Sequence, residues 1–281
     1  MATPPAASDF IIGFEEHLPP APLDRFVHRM AYGYFPAPLP PEQLAPDSYL
    51  KLALILDGEP QYFDGSGERL DWHDGFCGHV PPEQGIIATS EAPVRCVMVN
   101  FFPSAFHRLF RLPMDSFNGK MVPPMKVMGM AVHDLYANMR AVGTPERMFE
   151  AITIWLSELL TDDLQIGPGP MELVERAIRA AKGNIEVSAL AEQAGLSVRQ
   201  LQRKAPPELG LPLKEFCSVV RFNHAYALMR AQGKCDLDTA LASGYYDERH
   251  MLKDLAFYLG KAPKRFAHMI RPMVDTSLGQ V

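Results

Sequence analysis

Two hydrophobic periods divide the chain. Up to about residue 102, apolar residues fall in short runs bounded by turn residues. Beyond residue 170 they recur every three or four positions. The run Tyr49-Leu50-Lys51-Leu52-Ala53-Leu54-Ile55-Leu56 closes at Asp57-Gly58, which predicts a buried strand and a turn. Gln61 to Phe63, then Asp64-Gly65-Ser66-Gly67, then Glu68 to Trp72 predicts a hairpin. Gly85 to Thr89 and Val94 to Phe102 predict two further strands. Short strands at this spacing make residues 10–102 a small β-barrel or sandwich. Two helices are expected next. Residues 125–142 carry Val127, Met130, Leu135 and Met139, and residues 145–161 carry Met148, Ile152, Trp155, Leu156 and Leu159. Thr144-Pro145 between them offers an N-cap and a proline at the first helical position.

Gly167-Pro168-Gly169-Pro170 denies both helix and strand and reads as a linker. After it, Leu173, Val174, Ala177, Ile178 and Ala181 predict one apolar helix face, stopped by Gly183. Two segments then share one plan. Leu190-Ala191-Glu192-Gln193-Ala194-Gly195-Leu196-Ser197 is a short helix, a turn at glycine and a serine that caps a second helix. Ala240-Leu241-Ala242-Ser243-Gly244-Tyr245-Tyr246-Asp247 repeats it, with Asp247 as the cap. Helix, short turn with glycine, then helix is the helix-turn-helix plan. A long helix from about Leu213 to Met229 joins the two.

The charge follows the same division. Residues 1–170 hold 11 Lys and Arg against 21 Asp and Glu, a balance of −10, whereas residues 171–281 hold 16 against 12, a balance of +4. A mildly basic segment on an acidic chain of net charge −6 points to a polyanionic partner for that segment alone. The length, 281 residues, suits one large domain or two ordinary ones. No apolar run approaches the ~20 residues that cross a bilayer, and the first ten residues lack the basic and apolar regions of a signal peptide. The four cysteines, Cys77, Cys96, Cys217 and Cys235, form no C-x-x-C pair. They read as reduced thiols of a cytoplasmic protein.

The residues that carry the two-unit plan resemble the AraC/XylS family of bacterial transcription regulators. In the first unit these are Leu190-Ala191, Gly195-Leu196-Ser197, Leu201-Gln202-Arg203 and Gly210. In the joining helix they are Arg221-Phe222, Ala225 and Leu228-Met229. In the second unit they are Ala240, Gly244-Tyr245, His250, Gly260, Pro263 and Phe266. The resemblance covers roughly residues 171–270. It implies an α+β protein: an N-terminal cupin-like barrel with helices, then an all-α domain of two helix-turn-helix units. The implied division is a regulatory domain over 1–166, a linker over 167–170, a DNA-binding domain over 171–271 and a tail over 272–281. Implied partners are double-stranded DNA, a small-molecule effector, a second copy of the chain and, for an activator, RNA polymerase.

A recognition helix presents its first side chains to base edges in the major groove, where Arg matches guanine and Gln matches adenine. In the first unit the outward positions behind the Ser197 cap are Arg199, Gln202 and Arg203, with Lys204 at the helix end. By the resemblance, the matching positions of the second unit are Glu248, Arg249, His250, Leu252 and Lys253, of which Leu252 is apolar where the family pattern implies a polar residue. Ala205-Pro206-Pro207 follows Lys204, and proline in a helix interior costs about 3 kcal/mol, so the first recognition helix is expected to end near Lys204.

Other chemistry is thinly supported. His73, His79 and Glu83 lie close in sequence but not at the spacing of a cupin metal site. There is no G-x-S-x-G, no phosphate-cradling glycine loop and no H-E-x-x-H. The expectation is a transcription regulator without cofactor or metal, and not an enzyme. Its barrel would admit an effector beside Tyr62, Trp72 and Phe76. The alternatives are a ligand-binding or protein-interaction protein with decayed DNA reading, and a metal-dependent cupin enzyme.

Overall fold

Alternation along the strands sets the layers of the N-terminal half. A computed structural model describes residues 14–165, 167–232 and 235–259. Its strands are β1 (Phe14–His17), β2 (Val27–Phe35), β3 (Leu39–Gln43), β4 (Leu50–Asp57), β5 (Gln61–Phe63), β6 (Arg69–Leu70), β7 (Gly75–Cys77), β8 (Ile87–Ser90), β9 (Val94–Phe101) and β10 (Met121–Val122). A six-stranded sheet runs β1-β2-β9-β4-β7-β10 and a four-stranded sheet runs β3-β8-β5-β6. Every recorded pairing is antiparallel. Successive side chains of a strand face opposite ways. Leu50, Leu52 and Leu54 of β4 and Val97, Val99 and Phe101 of β9 therefore face the helices, while Ile55 and Cys96 face the smaller sheet.

The helices that cover the large sheet are α1 (Pro103–Phe110), α2 (Pro124–Met128), α3 (Ala131–Val142) and α4 (Pro145–Glu158), followed by α5 (Asp162–Gln165). Phe106, Leu135, Met139, Phe149, Ile152 and Trp155 pack with the sheet in one core. Two expectations change here. The helix expected over 125–142 is two helices, broken at Gly129, whose φ of 59° lies outside the helical range. Thr144 precedes Pro145 as expected but makes no side-chain cap bond.

The C-terminal half is helical throughout its described residues. It comprises α6 (Pro170–Ala180), α7 (Val187–Gln193), α8 (Val198–Leu209), α9 (Leu213–Gln232), α10 (Leu237–Ala242) and α11 (Glu248–Leu259). Helices α7 and α8 form one helix-turn-helix unit, α10 and α11 the other, and α9 joins them around a shared core. Gly260, Pro263 and Phe266 lie outside the described residues. The buried face of α6 differs from the expected stripe. Leu173 points outward, and Glu172 and Glu175 are buried beside Met171, Val174 and Ile178.

Helix α8 does not stop at Lys204. It runs through Pro206 and Pro207 to a left-handed Gly210 at φ 87°. The prolines remove the N–H groups that would bond the carbonyls of Gln202 and Arg203, but both residues are exposed, so water can serve those oxygens. Leu201, Ala205 and Leu209, buried at four-residue spacing on either side of the prolines, hold the helix to the core.

Two glycines separate conformational from steric constraint. Gly183 ends α6 at φ 73°, and a Cβ there would lie 2.1 Å from the Cys217 carbonyl oxygen. Gly195, in the first helix-turn-helix turn, has φ 63° and open space around it. Gly195→Ala should cost about 1 kcal/mol, the left-handed penalty alone. Gly183→Ala should cost at least twice that in urea unfolding, because backbone must also move; equal costs would refute the close approach.

Candidate nucleic-acid interface

The first unit opens α8 with a reciprocal cap. Ser197 Oγ accepts from the Gln200 backbone N–H at 3.2 Å, and Gln200 Oε1 accepts from the Ser197 N–H at 2.9 Å. With Leu201 and Ala205 turned inward, Arg199, Gln202 and Arg203 are exposed on the outer face. Among the described residues, none of these three has a side-chain hydrogen bond or ion pair. The N-terminal part of α8 thus carries two free cations and a free amide on one face. Lys204 differs, because its ammonium lies 2.8 Å from Glu208 Oε1. That pair is half exposed and worth only a few tenths of a kcal/mol, so a phosphate could still compete for the lysine.

The second unit is capped as expected: Asp247 Oδ1 accepts from the His250 N–H at 2.7 Å. Glu248, Arg249 and Lys253 are exposed. His250 is not free, since its ring meets Tyr245 edge-on with centroids 5.0 Å apart. Leu252 is half-buried against the core, which accounts for an apolar residue at that position. Met251 and Leu255 are fully buried beside it. Of the basic excess seen in the sequence, Lys261, Lys264, Arg265 and Arg271 fall outside the described residues.

The opposite side of this helical half is fixed to the barrel by charge. Arg179 of α6 donates to Glu175 Oε1 from Nε and Nη2, at 3.0 and 2.7 Å, and to Ser48 Oγ and the Ser48 carbonyl at 2.9 and 2.7 Å. Its guanidinium carbon lies 4.0 Å from the Tyr49 ring centroid, with Phe102 and Phe216 close by. Glu175 Oε2 accepts from Ser104 at the start of α1. Asn223 of α9 accepts from the Ser48 N–H and donates to the Pro46 carbonyl. Asn118 donates to the Gly210 carbonyl at the end of α8. None of Arg179, Glu175 and Asn223 stood out in the sequence, where charged and amide residues on helices usually mark a solvated face.

The barrel interior holds a cavity of about 100 Å³ bordered by Tyr62, Trp72, Cys77, Met98 and Met121, with the Asp47–Lys51 ion pair (2.9 Å) at one wall. Phe76, expected with Tyr62 and Trp72, is instead fully buried against Phe101, Phe106 and Phe117. It alternates with Gly75 and Cys77 along β7 and so faces the helices. The three residues weighed as metal ligands do not converge. His73 is exposed beside Asp74, His79 is buried at the interface of the two halves, and Glu83 is exposed. Among the described residues no group of three or more His, Cys, Asp and Glu is placed to hold a metal. Burial pushes the thiols of Cys77 and Cys217 up to about 11 and that of Cys96 up to about 12. No helix among the described residues is long and apolar enough to cross a membrane.

No family model matches the chain, and no curated protein matches it. Among solved structures, the chain is similar to ToxT from Vibrio cholerae O395 at 12% identity and a TM-score of 0.47, over 85% of this chain and 97% of that one. ToxT from Vibrio cholerae in a P21 crystal form gives 12% and 0.47 over 92% and 99%. Wild-type ToxT of strain SCE256 with a bound unsaturated fatty acid gives 12% and 0.45 over 86% and 95%. A likeness this distant decides nothing about function.

The Arg179 cluster encloses a histidine that titrates with folding. The His28 ring stacks on Tyr49 at 4.5 Å. Burial, aided by Arg179 and Arg29, lowers its pKa from 6.5 to about 4. The unfolded chain takes up this proton near pH 6.5 and the folded chain only near pH 4. Stability should therefore be full above pH 6.5 and fall toward pH 4, by about 3 kcal/mol at most for this group. Burial lowers His79 and His224 as well, so the trend has the same sign at all three. Urea unfolding between pH 7.5 and 5 should show the decline, shallower in His28→Gln. A flat profile would mean that His28 is not held neutral.

Proposed function

We propose that the chain is a sequence-specific double-stranded DNA-binding regulator of the AraC type, with residues 171–271 binding DNA and residues 1–166 acting as the regulatory domain. Helix α8 is the main reader. The observation that carries the reading is the outer face of α8, where Arg199, Gln202 and Arg203 stand exposed and unpaired behind a formed cap. Side chains already committed to intramolecular partners would have to break them to reach a base; these three do not. The capped end also leaves backbone N–H groups for a phosphate. Arg249 and Lys253 of α11 supply backbone contacts, with Glu248 able to accept from cytosine. The barrel cavity beside Tyr62 and Trp72 supports an effector role for the first half. A regulatory role is the reading that the free cations favour. A second copy of the chain and, for an activator, RNA polymerase are the further partners this role implies.

The test needs a duplex selected by the full chain from random fragments and a scrambled control. Arg203→Ala should reduce binding to the selected duplex by about 1–3 kcal/mol more than to the control. Lys204→Ala should weaken both alike and lower the salt slope by about one unit. Equal loss on both duplexes in Arg203→Ala would make Arg203 a backbone contact. If neither substitution has an effect, α8 does not engage DNA and the decayed reader is the better account.

A further inference from the structure

Two cross-strand rows of the larger sheet floor the barrel cavity. In one, Met98 pairs with Ala53 and Ala53 with Gly75; in the next, Asn100 pairs with Lys51 and Lys51 with Cys77. Paired residues place their side chains on one face of a sheet. Met121 crosses over Gly75, where a Cβ would lie 2.7 Å from its Cγ. Small residues at 53 and 75 thus leave the lumen open between Met98 and Met121.

Tyr62 meets this floor from β5 of the smaller sheet. It is 6% exposed, and its hydroxyl approaches Cys77 and Cys96 and opens on the cavity. Among the described residues that hydroxyl makes no hydrogen bond. A buried hydroxyl without a partner is costly. Burial raises its pKa, so the group stays protonated and able to donate. The matching group on a ligand is an acceptor.

Charge is settled within the wall itself. Asp47 and Lys51 pair at 2.9 Å, and the other residues that border the cavity are uncharged. Burial pushes the Cys77 thiol up to about 11, so it too is neutral. An ion entering here would leave water without a counter-charge of its own, whereas a neutral acceptor needs one hydrogen bond. The remaining surface is apolar and polarisable: the Tyr62 and Trp72 rings, 5.7 Å apart, and the sulfur-bearing side chains of Cys77, Met98 and Met121. A dry 150 Å³ cavity accommodates benzene, so about 100 Å³ suits a molecule of about five heavy atoms. We infer that the barrel cavity binds a small neutral ketone-like molecule, its carbonyl oxygen accepting from the Tyr62 hydroxyl. Asp47 on the cavity wall is followed by Ser48, which accepts from Arg179, so an occupant would adjoin the contact that holds the helical half. Its use as an effector rests on the regulator reading above; its binding does not.

The test uses the full chain without DNA, so base reading does not enter. Butan-2-one, propanoate and butan-2-ylammonium share one skeleton and size and are neutral, anionic and cationic. At millimolar ligand, saturation-transfer NMR and thermal melting should show binding and a raised melting temperature with butan-2-one, and at least tenfold weaker binding with both ions. Tyr62→Phe removes no intramolecular hydrogen bond, so the unliganded chain should melt at the same temperature or higher, while butan-2-one binds about three- to tenfold more weakly. Ala53→Leu, which fills the lumen, should abolish binding; if that variant does not fold, Tyr62→Phe decides. The proposal is wrong if no probe binds, if either ion binds as tightly as butan-2-one, or if Tyr62→Phe leaves binding unchanged. It is equally wrong if Tyr62→Phe lowers the melting temperature of the unliganded chain, since the hydroxyl would then already have a partner. A chain that binds butan-2-one but no duplex would refute the regulator reading and leave this site standing.

Discussion

A cation removed from water must find anions and dipoles, and this molecule is arranged around one such cation. Arg179 is largely enclosed, and isolating its charge would cost several kcal/mol. Glu175 supplies the counter-charge, Ser48 two acceptors, and Tyr49, Phe102 and Phe216 the aromatic surroundings. These partners come from the segment before β4, the segment after β9, α6 and α9. Satisfying one guanidinium therefore fixes the sheet, the start of α1 and the joining helix relative to one another. Ser104 accepts no alternative arrangement cheaply either, because Glu175 Oε2 serves the otherwise unbonded N–H at the start of α1.

This clamp explains how one side of the helical half is held while the other stays open. Helix α8 rests on α1 and on the turn Met114–Phe117 through its C-terminal part, where Asn118 holds the Gly210 carbonyl. Its N-terminal part, with the capped Ser197 and the free Arg199, Gln202 and Arg203, faces away from that contact. Fixed backing and a free face are what a base-reading helix requires, since a side chain must be placed closely to form a paired contact. Helix α11 is less open, with His250 drawn to Tyr245 and Leu252 drawn to the core.

Much of this was legible in the sequence, for physical reasons that can be named. The short apolar runs marked β4 and β9 as strands, and the Ser197 and Asp247 caps marked helix starts because their side chains have one energetically good place to go. Glycine marked both helix-turn-helix turns. The misreadings share a cause: local rules gave way to packing. Pro206 and Pro207 forbid a helix locally, but Ala205 and Leu209 are buried on either side and α8 continues. Phe76 has the composition of a pocket residue, but its place in β7 turns it to the helices. Leu173 matches an apolar stripe that Glu172 and Glu175 displace: the four-residue spacing of Glu175 and Arg179 is local, but the burial of both acids shows only once their partners Arg25, Ser104 and Arg108 from the first half are in place. Long-range pairs of this kind leave no mark in a local pattern.

The central claim is that the barrel and the helical half are one cooperative body held at Arg179. Trp72 and Trp155, the two tryptophans, both lie in the first half, so tryptophan fluorescence follows that half alone, whereas far-ultraviolet circular dichroism follows the helices of both. Urea unfolding of the intact chain, recorded by both signals on one sample, is the most direct measurement. The account predicts superimposable transitions with one midpoint, separating into two in Arg179→Met. Two separate transitions in the unsubstituted chain would contradict it, and would mean that the helical half is tethered to the barrel and not built onto it.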